Sequence, residues 1–390
     1  MKYWRGYIIT ALLVVATVTL MTFSKAHGTL VDMIYPYITR LIQTSLAGWV
    51  SGAAFCLWQL IVVLLGVLFL ASIVMMLVLR WNFVQWLGWV LASVSLIFCL
   101  HTGVYGLNNY AGPLSEDIRL KETKYEISEL VETATYFRDI ANELATQVPR
   151  NDDGTPNYPS FKELADMAGG GFDHLVYDKS YSVFAGSTLP VKELGWADLY
   201  TSMGITGIHM PLTAEAAVNP QTPAVALPFV MCHEMSHRMC IALERDANLG
   251  AFLACDANDS VIFRYSGYFM AFRFCYNALI SDGASSAKAA AETLLAGAND
   301  QLKQDLTQYK QFFAANQDKA ATDFATGLND TYIKVSGDES GTQSYNEVTG
   351  LLVSWYIQEI YLPAHKDEEQ VFDPLDKEQV ENSEYIGGGA

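Results

Sequence analysis

Long apolar runs near the N-terminus predict membrane-spanning helices. The segment from Phe55 to Leu79 contains no charged residue and is long enough to cross a hydrocarbon core of about 30 Å as a helix. A shorter apolar run from Tyr7 to Phe23 follows two basic residues, and we interpret it as an anchor because no small-residue cleavage site of a signal peptide follows it. A third apolar run covers about residues 84–107. We therefore expect three transmembrane helices.

The segment between the first two runs has a helical pattern but carries charge. Its apolar residues recur at helical spacing: Val31, Ile34, Tyr35, Ile38, Leu41 and Ile42. Asp32 and Arg40 would make a full membrane span costly. An interfacial or re-entrant helix is the better interpretation.

After residue 107 the pattern is mostly helical. Lys121–Val148 has the period of a long amphipathic helix, whereas the polar residues 149–160 and the run Gly169–Gly171 predict loops. Short apolar pieces between prolines in Gly204–Leu227 predict one or two strands. Further helices are predicted at 225–242, 244–256, 258–282, 284–298, 300–316 and 344–361. The predicted fold class is mainly α, with N-terminal transmembrane helices followed by a mostly helical domain that has a small β element.

These patterns divide the chain into three parts. Residues 1–107 form a membrane region, residues 108–363 form a folded domain, and residues 364–390 form an acidic tail that we expect to be disordered.

Basic residues around the predicted spans indicate the orientation. With three spans, Lys2, Arg5 and Arg80 lie on one side of the membrane, and Lys25 and Arg40 lie on the other. The positive-inside rule then places the N-terminus in the cytoplasm. This predicts a multi-pass plasma-membrane protein whose folded domain is extracytoplasmic.

The negative charge lies almost entirely after the membrane region. The whole chain has a formal net charge of −18. Residues 1–107 contain five Lys or Arg and one Asp, which leaves 19 basic and 41 acidic residues in the remainder, a net charge of −22. Such a surface repels nucleic acid and anionic headgroups, so we expect no nucleic-acid partner and no polybasic docking to membranes.

The candidate chemistry lies in His233-Glu234-Met235-Ser236-His237, an H-E-x-x-H motif inside the helix predicted at 225–242. At this spacing both imidazoles lie on one helical face, about one turn apart, where both can reach one zinc ion. Glu234 can then polarise a bound water. The apolar context LPFVMCHEMSH favours a metal site over an ordinary helix that carries two histidines by chance.

The third zinc ligand is the open question of this motif, because two histidines and a water leave a tetrahedral zinc ion one protein ligand short. The metzincin pattern fails, since Cys240 and Leu243 stand where it needs Gly and His. Glu244 is the preferred ligand and Asp246 the alternative. On a continuous helix Glu244 would lie about 10 Å along the axis from His237. The chain must therefore turn between them, although no Gly or Pro stands there.

The residues that follow the motif resemble the E-x-x-A-D helix motif of gluzincin peptidases such as the HtpX-like family. The matching residues are Glu244, Arg245, Asp246, Ala247 and Asn248. The resemblance implies that Glu244 is the third ligand. It also implies that Asn248, which replaces the Asp of that family, holds a ligand histidine by a hydrogen bond but without the charge.

Several other residues have two competing interpretations. Arg264, Tyr265 and Tyr268 in the segment FRYSGY are candidate donors to the oxyanion of a tetrahedral intermediate, although helix packing by aromatics is the favoured interpretation for each. For His209 in GIHMP, a strand or surface position is favoured over one near the site. The six cysteines include no C-x-x-C pair and lie among apolar residues, which predicts buried thiols and leaves a Cys240–Cys255 disulfide open.

Segments along nearly the whole chain resemble a bacterial membrane-protein family known only as a numbered domain of unknown function, DUF3810. The resemblance rests on GLNNYAGPLSE, MGITGIHMPLTAEAAVN, LPFVMCHEMSH, ERDANLGAFLAC, FRYSGY and SYNEVTGLLVSWY, in this order. It implies an N-terminal membrane region followed by a zincin-like domain. The family usually has Gly at the position of Cys240 and Glu at that of Asp246, so this chain departs from it at the required turn and at one candidate ligand.

Together these features predict a membrane-anchored, gluzincin-like zinc metallopeptidase. His233, His237 and Glu244 would bind Zn²⁺, with Asp246 as the alternative ligand, and Glu234 would be the general base. The expected partners are a protein or peptide substrate and the lipid bilayer, and the oligomeric state stays open. The alternative function is that of a non-catalytic membrane receptor or assembly factor with a zincin fold and a structural zinc. A structural site, however, would not need a glutamate directly after its first ligand.

Overall fold

The computed structural model describes residues 2–336 and 344–365, and it confirms a mainly helical chain with a small sheet. After a 3-10 turn at Lys2–Trp4, four long helices come first: α1 (Arg5–Ala26), α2 (Gly28–Val50), α3 (Leu57–Val78) and α4 (Phe83–Val104). Of these, α1, α3 and α4 are long and apolar enough to cross a membrane, as the apolar runs predict. Little of their apolar surface is buried by the rest of the chain.

Helices α1 and α4 cross at a pair of glycines. A Cβ added at Gly6 on α1 would lie 2.3 Å from the carbonyl carbon of Gly88 on α4. Only glycine permits backbones to approach this closely, which is a common device for packing apolar helices in lipid.

The helices that follow form the folded domain. They are α5 (Leu114–Asp117), α6 (Ile127–Ala145), α7 (Phe161–Tyr177), α8 (Ala197–Ser202), α9 (Leu227–Arg238), α10 (Glu244–Asp256), α11 (Val261–Ser281), α12 (Ser285–Ala296), α13 (Asp300–Asn316), α14 (Lys319–Ser336), α15 (Ser344–Tyr356) and α16 (Leu362–Ala364). Two 3-10 turns lie at Gly106–Tyr110 and Ser182–Phe184, and a π-helical turn lies at Ile357–Tyr361. Helices α5, α7, α8, α14 and α16 were not predicted. Of the predicted tail at 364–390, residues 366–390 lie outside the described residues.

The sheet lies directly before the motif helix. Its strands are β1 (Lys192–Glu193), β2 (Gly207–Met210) and β3 (Glu215–Val218), in the order β1, β3, β2. β2 pairs antiparallel with β3, and β1 pairs parallel with it. The strands predicted within Gly204–Leu227 are therefore present as β2 and β3, and β2 is an edge strand.

The loop predicted at Gly169–Gly171 is wrong, because these residues lie inside α7. A Cβ added at Gly171 would lie 1.8 Å from the carbonyl oxygen of Ala254 on α10, and one added at Gly169 would lie 2.7 Å from that of Thr188. The glycines therefore let neighbouring backbone approach α7 closely. A glycine within a helical pattern can serve packing instead of ending the helix.

Helix α10 lies at the centre of the hydrophobic core of the domain. Its Phe252 is almost completely buried and contacts Phe137 on α6 and Trp355 on α15, with ring centroids 5.4 and 4.8 Å apart. Cys232 on α9 and Cys255 on α10 are both fully buried and lie beside each other, and all six cysteines are free. The disulfide between Cys240 and Cys255, which the sequence left undecided, is therefore not formed.

The sheet is bonded to the ends of two N-terminal helices. The Glu215 carboxylate on β3 accepts hydrogen bonds from the backbone N–H groups of Leu57, at 2.7 Å, and Trp58, at 2.9 Å, at the start of α3. The Lys192 ammonium on β1 donates to the carbonyl oxygen of Val50, the last residue of α2, and pairs with Glu215, both at 2.8 Å. An anion at a helix N-terminus and a cation at a C-terminus both complement the helix dipole. These contacts tie the sheet to the turn between α2 and α3.

Candidate metal centre

The motif helix α9 ends in a turn that no glycine or proline in the sequence indicates. The Cys240 N–H donates to the carbonyl oxygen of His237, and the Ile241 N–H donates to that of Ser236, which is the Schellman pattern of a helix C-terminus. Cys240 occupies the left-handed position of this motif, with φ 72°, where glycine is preferred. This turn ends α9, and α10 then begins at Glu244.

Three side chains from α9 and α10 converge after this turn. The Nε2 atoms of His233 and His237 lie 3.1 Å apart. The Oε2 atom of Glu244 lies 3.2 Å from His233 Nε2 and 3.6 Å from His237 Nε2. The three side chains are only 12%, 11% and 14% exposed, respectively. In residues 2–336 and 344–365, no other group of His, Cys, Asp and Glu side chains is arranged closely enough to hold a metal ion.

The geometry and hydrogen bonding of these side chains fit a tetrahedral zinc ion. Bonds of about 2.0–2.1 Å at tetrahedral angles place ligand atoms about 3.3–3.4 Å apart, close to the three separations. His237 Nδ1 lies 2.8 Å from the carbonyl oxygen of Ile241 and so carries the proton in the neutral ring, which leaves Nε2 for a metal. The buried Oε2 atom of Glu244 has the two imidazoles as neighbours but, within the described residues, makes no hydrogen bond of good geometry, and a metal cation would satisfy it.

Asp246, the alternative ligand, contacts a different set of residues. Its Oδ2 atom accepts a hydrogen bond of 2.9 Å from the Leu114 N–H, and its Oδ1 atom lies 3.3 Å from Arg245 Nε. Arg245 also pairs with Glu122 at 2.9 Å. The structure thus brings Glu244, and not Asp246, to the two histidines. Asp246 holds the first turn of α10 against the segment that follows α4.

The charges of His237 and Glu244 shift each other's pKa. Burial lowers the pKa of His237, but the adjacent Glu244 carboxylate outweighs burial and raises it to about 9. Burial raises the pKa of Glu244, but the nearby histidines outweigh this effect and lower it well below its ordinary value. In the metal-free protein the site therefore holds a proton on His237 beside a charged Glu244. A metal ion that binds here must displace this proton.

The side chain of Glu234, a residue of α9, lies against the edge strand β2. It is buried, and burial raises the pKa of its carboxyl to about 7. A Cβ added at Gly207 would lie 2.4 Å from Glu234 Oε1, so glycine is needed for the strand to pass this close. The predicted general base is thus placed beside the first residue of β2.

The outer edge of β2 has backbone groups that point away from the sheet. The Asn219 N–H donates to the carbonyl oxygen of Thr206, directly before β2. Because bonded and non-bonded pairs alternate in an antiparallel ladder, the N–H and C=O groups of Gly207 and His209 face the open edge.

Two residues that sequence reasoning did not assign to the site, His209 and Tyr105, lie beside His237. The His209 ring stacks on that of His237, with centroids 6.5 Å apart, and its Nε2 atom lies 3.2 Å from Gln43 Oε1 on α2. The Tyr105 hydroxyl donates to the carbonyl oxygen of His237. Burial, and then the nearby His237, lower the pKa of His209 well below its ordinary value. His209 is a strand residue as predicted, but it lies next to the site. In the sequence, the one signal for this position was the alternation of side chains along a strand, which places His209 on the same face as Gly207.

The hydrogen bond predicted from Asn248 to a ligand histidine is absent from the described part of the chain. Asn248 is buried, yet neither its Nδ2 atom nor His233 Nδ1 has a hydrogen-bond partner there. The ring of His237 is oriented by the carbonyl oxygen of Ile241 instead.

The three candidate oxyanion donors make contacts elsewhere. The Tyr265 hydroxyl donates to Asp305 on α13, and the Tyr268 hydroxyl donates to Asp256 at 2.8 Å. Arg264 also lies near Asp256. Asp256 ends α10 and lies about 18 Å along the helix axis from its first residue. None of the three is therefore placed at the histidine pair, and the packing interpretation applies to them.

The fold and the site define a mostly helical chain with apolar N-terminal helices and a buried H-E-x-x-H helix, which a tight turn joins to a glutamate-bearing helix. The chain belongs to the family described as a protein of unknown function (DUF3810), whose sequence model matches residues 31–353. This range includes all three residues of the candidate metal centre. No curated protein matches the chain, and no solved structure matches it either.

Proposed function

We propose that this protein is a membrane-anchored zinc metallopeptidase. The observation that carries the proposal is the convergence of His233 Nε2, His237 Nε2 and Glu244 Oε2 next to the buried Glu234. These three atoms would hold Zn²⁺ and leave one coordination position open, as catalytic zinc sites do. Bound zinc would supply Lewis-acid chemistry, which lowers the pKa of a water and polarises the scissile carbonyl.

Glu234 supplies the acid–base step. Because its carboxyl has a pKa of about 7, it is partly ionised near neutral pH and able both to accept and to release a proton. Its carboxylate accepts the proton of the attacking water and then donates it to the nitrogen of the leaving amine. A site that only held metal would gain nothing from a buried carboxyl at this position.

The edge strand β2 aligns the substrate. An extended polypeptide can add to its open edge by pairing with the backbone groups of Gly207 and His209. Because Gly207 lies against Glu234, such a peptide would run past the general base. The substrate class is therefore a protein or peptide segment in extended conformation.

Helices α1, α3 and α4 anchor the domain as three membrane spans. The start of α3 is bonded to β3 through Glu215, and Tyr105, directly after α4, is bonded to α9. Both ends thus lie on the domain side, which supports a path with three crossings. With the N-terminus in the cytoplasm, the domain is extracytoplasmic in a multi-pass plasma-membrane protein.

The test compares the full-length wild type with Glu234→Gln for zinc content and for cleavage of a peptide library. We expect about one zinc per chain in both proteins and a loss of cleavage of about 100-fold or more in the variant, the scale of general-base catalysis. Glu292→Gln, an exposed substitution on α12, is the matched control and should cleave normally.

Two results would reject the proposal. A wild type without zinc would show that the metal assignment is wrong. Bound zinc without cleavage in the wild type would favour the non-catalytic membrane receptor or assembly factor with a structural zinc.

A further inference from the structure

Helix α2 has its polar residues inside and its apolar residues outside. Arg40 and Gln43 are 9% and 0% exposed, whereas Met33 and Leu41 are 66% and 69% exposed. The outer face consists of Leu30, Met33, Ile34, Tyr37, Ile38 and Leu41. A helix on a water-facing protein surface has the opposite arrangement. An exposed apolar face of this kind indicates a contact surface.

The inner face of α2 is bonded to the backbone around the candidate metal centre. Arg40 Nε donates to the carbonyl oxygen of Met239, directly after α9, and Arg40 Nη1 donates to that of Ser182, both at 3.2 Å. Gln43 Nε2 donates to the carbonyl oxygen of Pro211, just beyond β2, at 2.9 Å. The polar residues of α2 are thus satisfied by the domain. This fixes the outer face in one direction.

Both ends of α2 are held on the domain. Near its start, Asp32 Oδ1 accepts a hydrogen bond of 2.9 Å from the Gly112 N–H, and at its end the carbonyl oxygen of Val50 accepts the Lys192 ammonium. A helix bonded to the domain at both ends runs along it. It does not cross a membrane.

Helix α2 is joined directly to two of the apolar helices. Helix α1 ends at Ala26, and α3 begins at Leu57, so each is separated from α2 by a short connection. The charged residues of α2 are Asp32 and Arg40, and both bond to the domain. The outer face is therefore uncharged, which suits acyl chains better than an ionic partner.

We propose that the outer face of α2 lies in a phospholipid bilayer, parallel to its plane, at the boundary between headgroups and acyl chains. Amphipathic helices in this position are buried about 5–10 Å deep. Because the inner face of α2 contacts Met239 and His209, the candidate metal centre is then held about one helix diameter, about 10 Å, from the lipid. Arg40 and Gln43 hold the site at this distance, because their side chains bond α2 to the backbone around it.

The test measures the depth of spin labels in the full-length protein in phosphatidylcholine vesicles. Cys99 is the one described cysteine that is not buried, so the label is introduced into a Cys99→Ala background. Labels are attached at Met33→Cys, Tyr37→Cys and Leu41→Cys, and Lys162→Cys on α7, whose side chain is 83% exposed, is the control. Collision rates with oxygen and with a water-soluble nickel complex give the depth.

We expect the three α2 labels to favour collision with oxygen at depths of about 5–10 Å, independently of salt, and the control label to favour the nickel complex. Labels on α2 that collide with nickel as the control does would overturn the proposal. Labels shielded from both reagents would also overturn it, because a second copy of the chain or a partner protein would then cover this face. A label depth near the bilayer centre would overturn it as well. None of these readouts needs metal or cleavage, so this proposal can fail independently of the proposed function.

Discussion

The Tyr105 hydroxyl donates a hydrogen bond of 3.0 Å to the carbonyl oxygen of His237. Tyr105 directly follows α4, whereas His237 is the second histidine of the motif. The bond therefore joins the end of an apolar helix to the turn that ends α9. The apolar N-terminal helices and the candidate metal centre are therefore in direct contact.

Tyr105→Phe removes this bond while keeping the ring beside His209. Because the Cys240 N–H still donates to the same carbonyl, we expect a moderate loss of about 0.5–1.5 kcal/mol in the free energy of unfolding. Zinc affinity, measured by competition with a chelator, should fall a few-fold. Tyr177→Phe, at an 81% exposed tyrosine, is the control. Unchanged unfolding and zinc binding in Tyr105→Phe would contradict the prediction.

Cys240→Gly should relieve the left-handed backbone of the Schellman turn. A side chain in this conformation costs about 1 kcal/mol or more. Cys240→Ala is the matched comparison, because it removes the thiol but keeps the Cβ that causes the strain. We expect the Gly variant to be more stable than the Ala variant by about 1 kcal/mol in thermal unfolding. Equal stability of the two variants would show that the turn is unstrained.

Substitution of the two candidate carboxylates should separate their roles. Glu244→Gln should lower zinc affinity by about 100-fold or more, since it removes an anionic ligand. Asp246→Asn should keep the zinc content but lower the free energy of unfolding by about 1–3 kcal/mol, because the pairing with Arg245 is lost. Metal analysis and thermal unfolding of both variants give the answer. The reverse pattern would make Asp246 the ligand.

Zinc binding should release a proton and strengthen as the pH rises towards 9. The pKa of His237 in the metal-free protein is about 9, so the imidazole is protonated at pH 7, and only the neutral ring binds zinc. The apparent affinity should therefore rise about tenfold per pH unit between pH 7 and 9. Titration calorimetry in buffers of different ionisation enthalpy measures the released protons. No proton release at pH 7 would contradict the His237–Glu244 pair.

In the metal-free protein, the His237–Glu244 pair should also make the free energy of unfolding depend on pH. The folded-state pKa of His237 lies above its ordinary value, so protonation of His237 contributes stability that is fully present below about pH 6.5. This contribution is lost as the pH rises through about 9. Glu244→Gln should remove this pH dependence of thermal unfolding.

Local patterns in the sequence predicted the apolar helices, the helical fold class and the geometry of the motif. An apolar run as long as α3 can cross a membrane whatever follows it, because the hydrocarbon core requires only length and hydrophobicity. Likewise, His233 and His237 share a helix face through the helical period alone. These predictions depend on residues that are close in sequence.

Only the tertiary structure decided which carboxylate meets the histidines and what surrounds them. The turn at Cys240 places a non-glycine residue in a left-handed conformation, which no local signal indicates. The contact of Tyr105 with His237 joins residues 132 positions apart, and the inverted polarity of α2 becomes clear only when its bonds to the domain are known. Such contacts depend on how complete helices pack, and this packing is a property of the whole chain and not of any single segment.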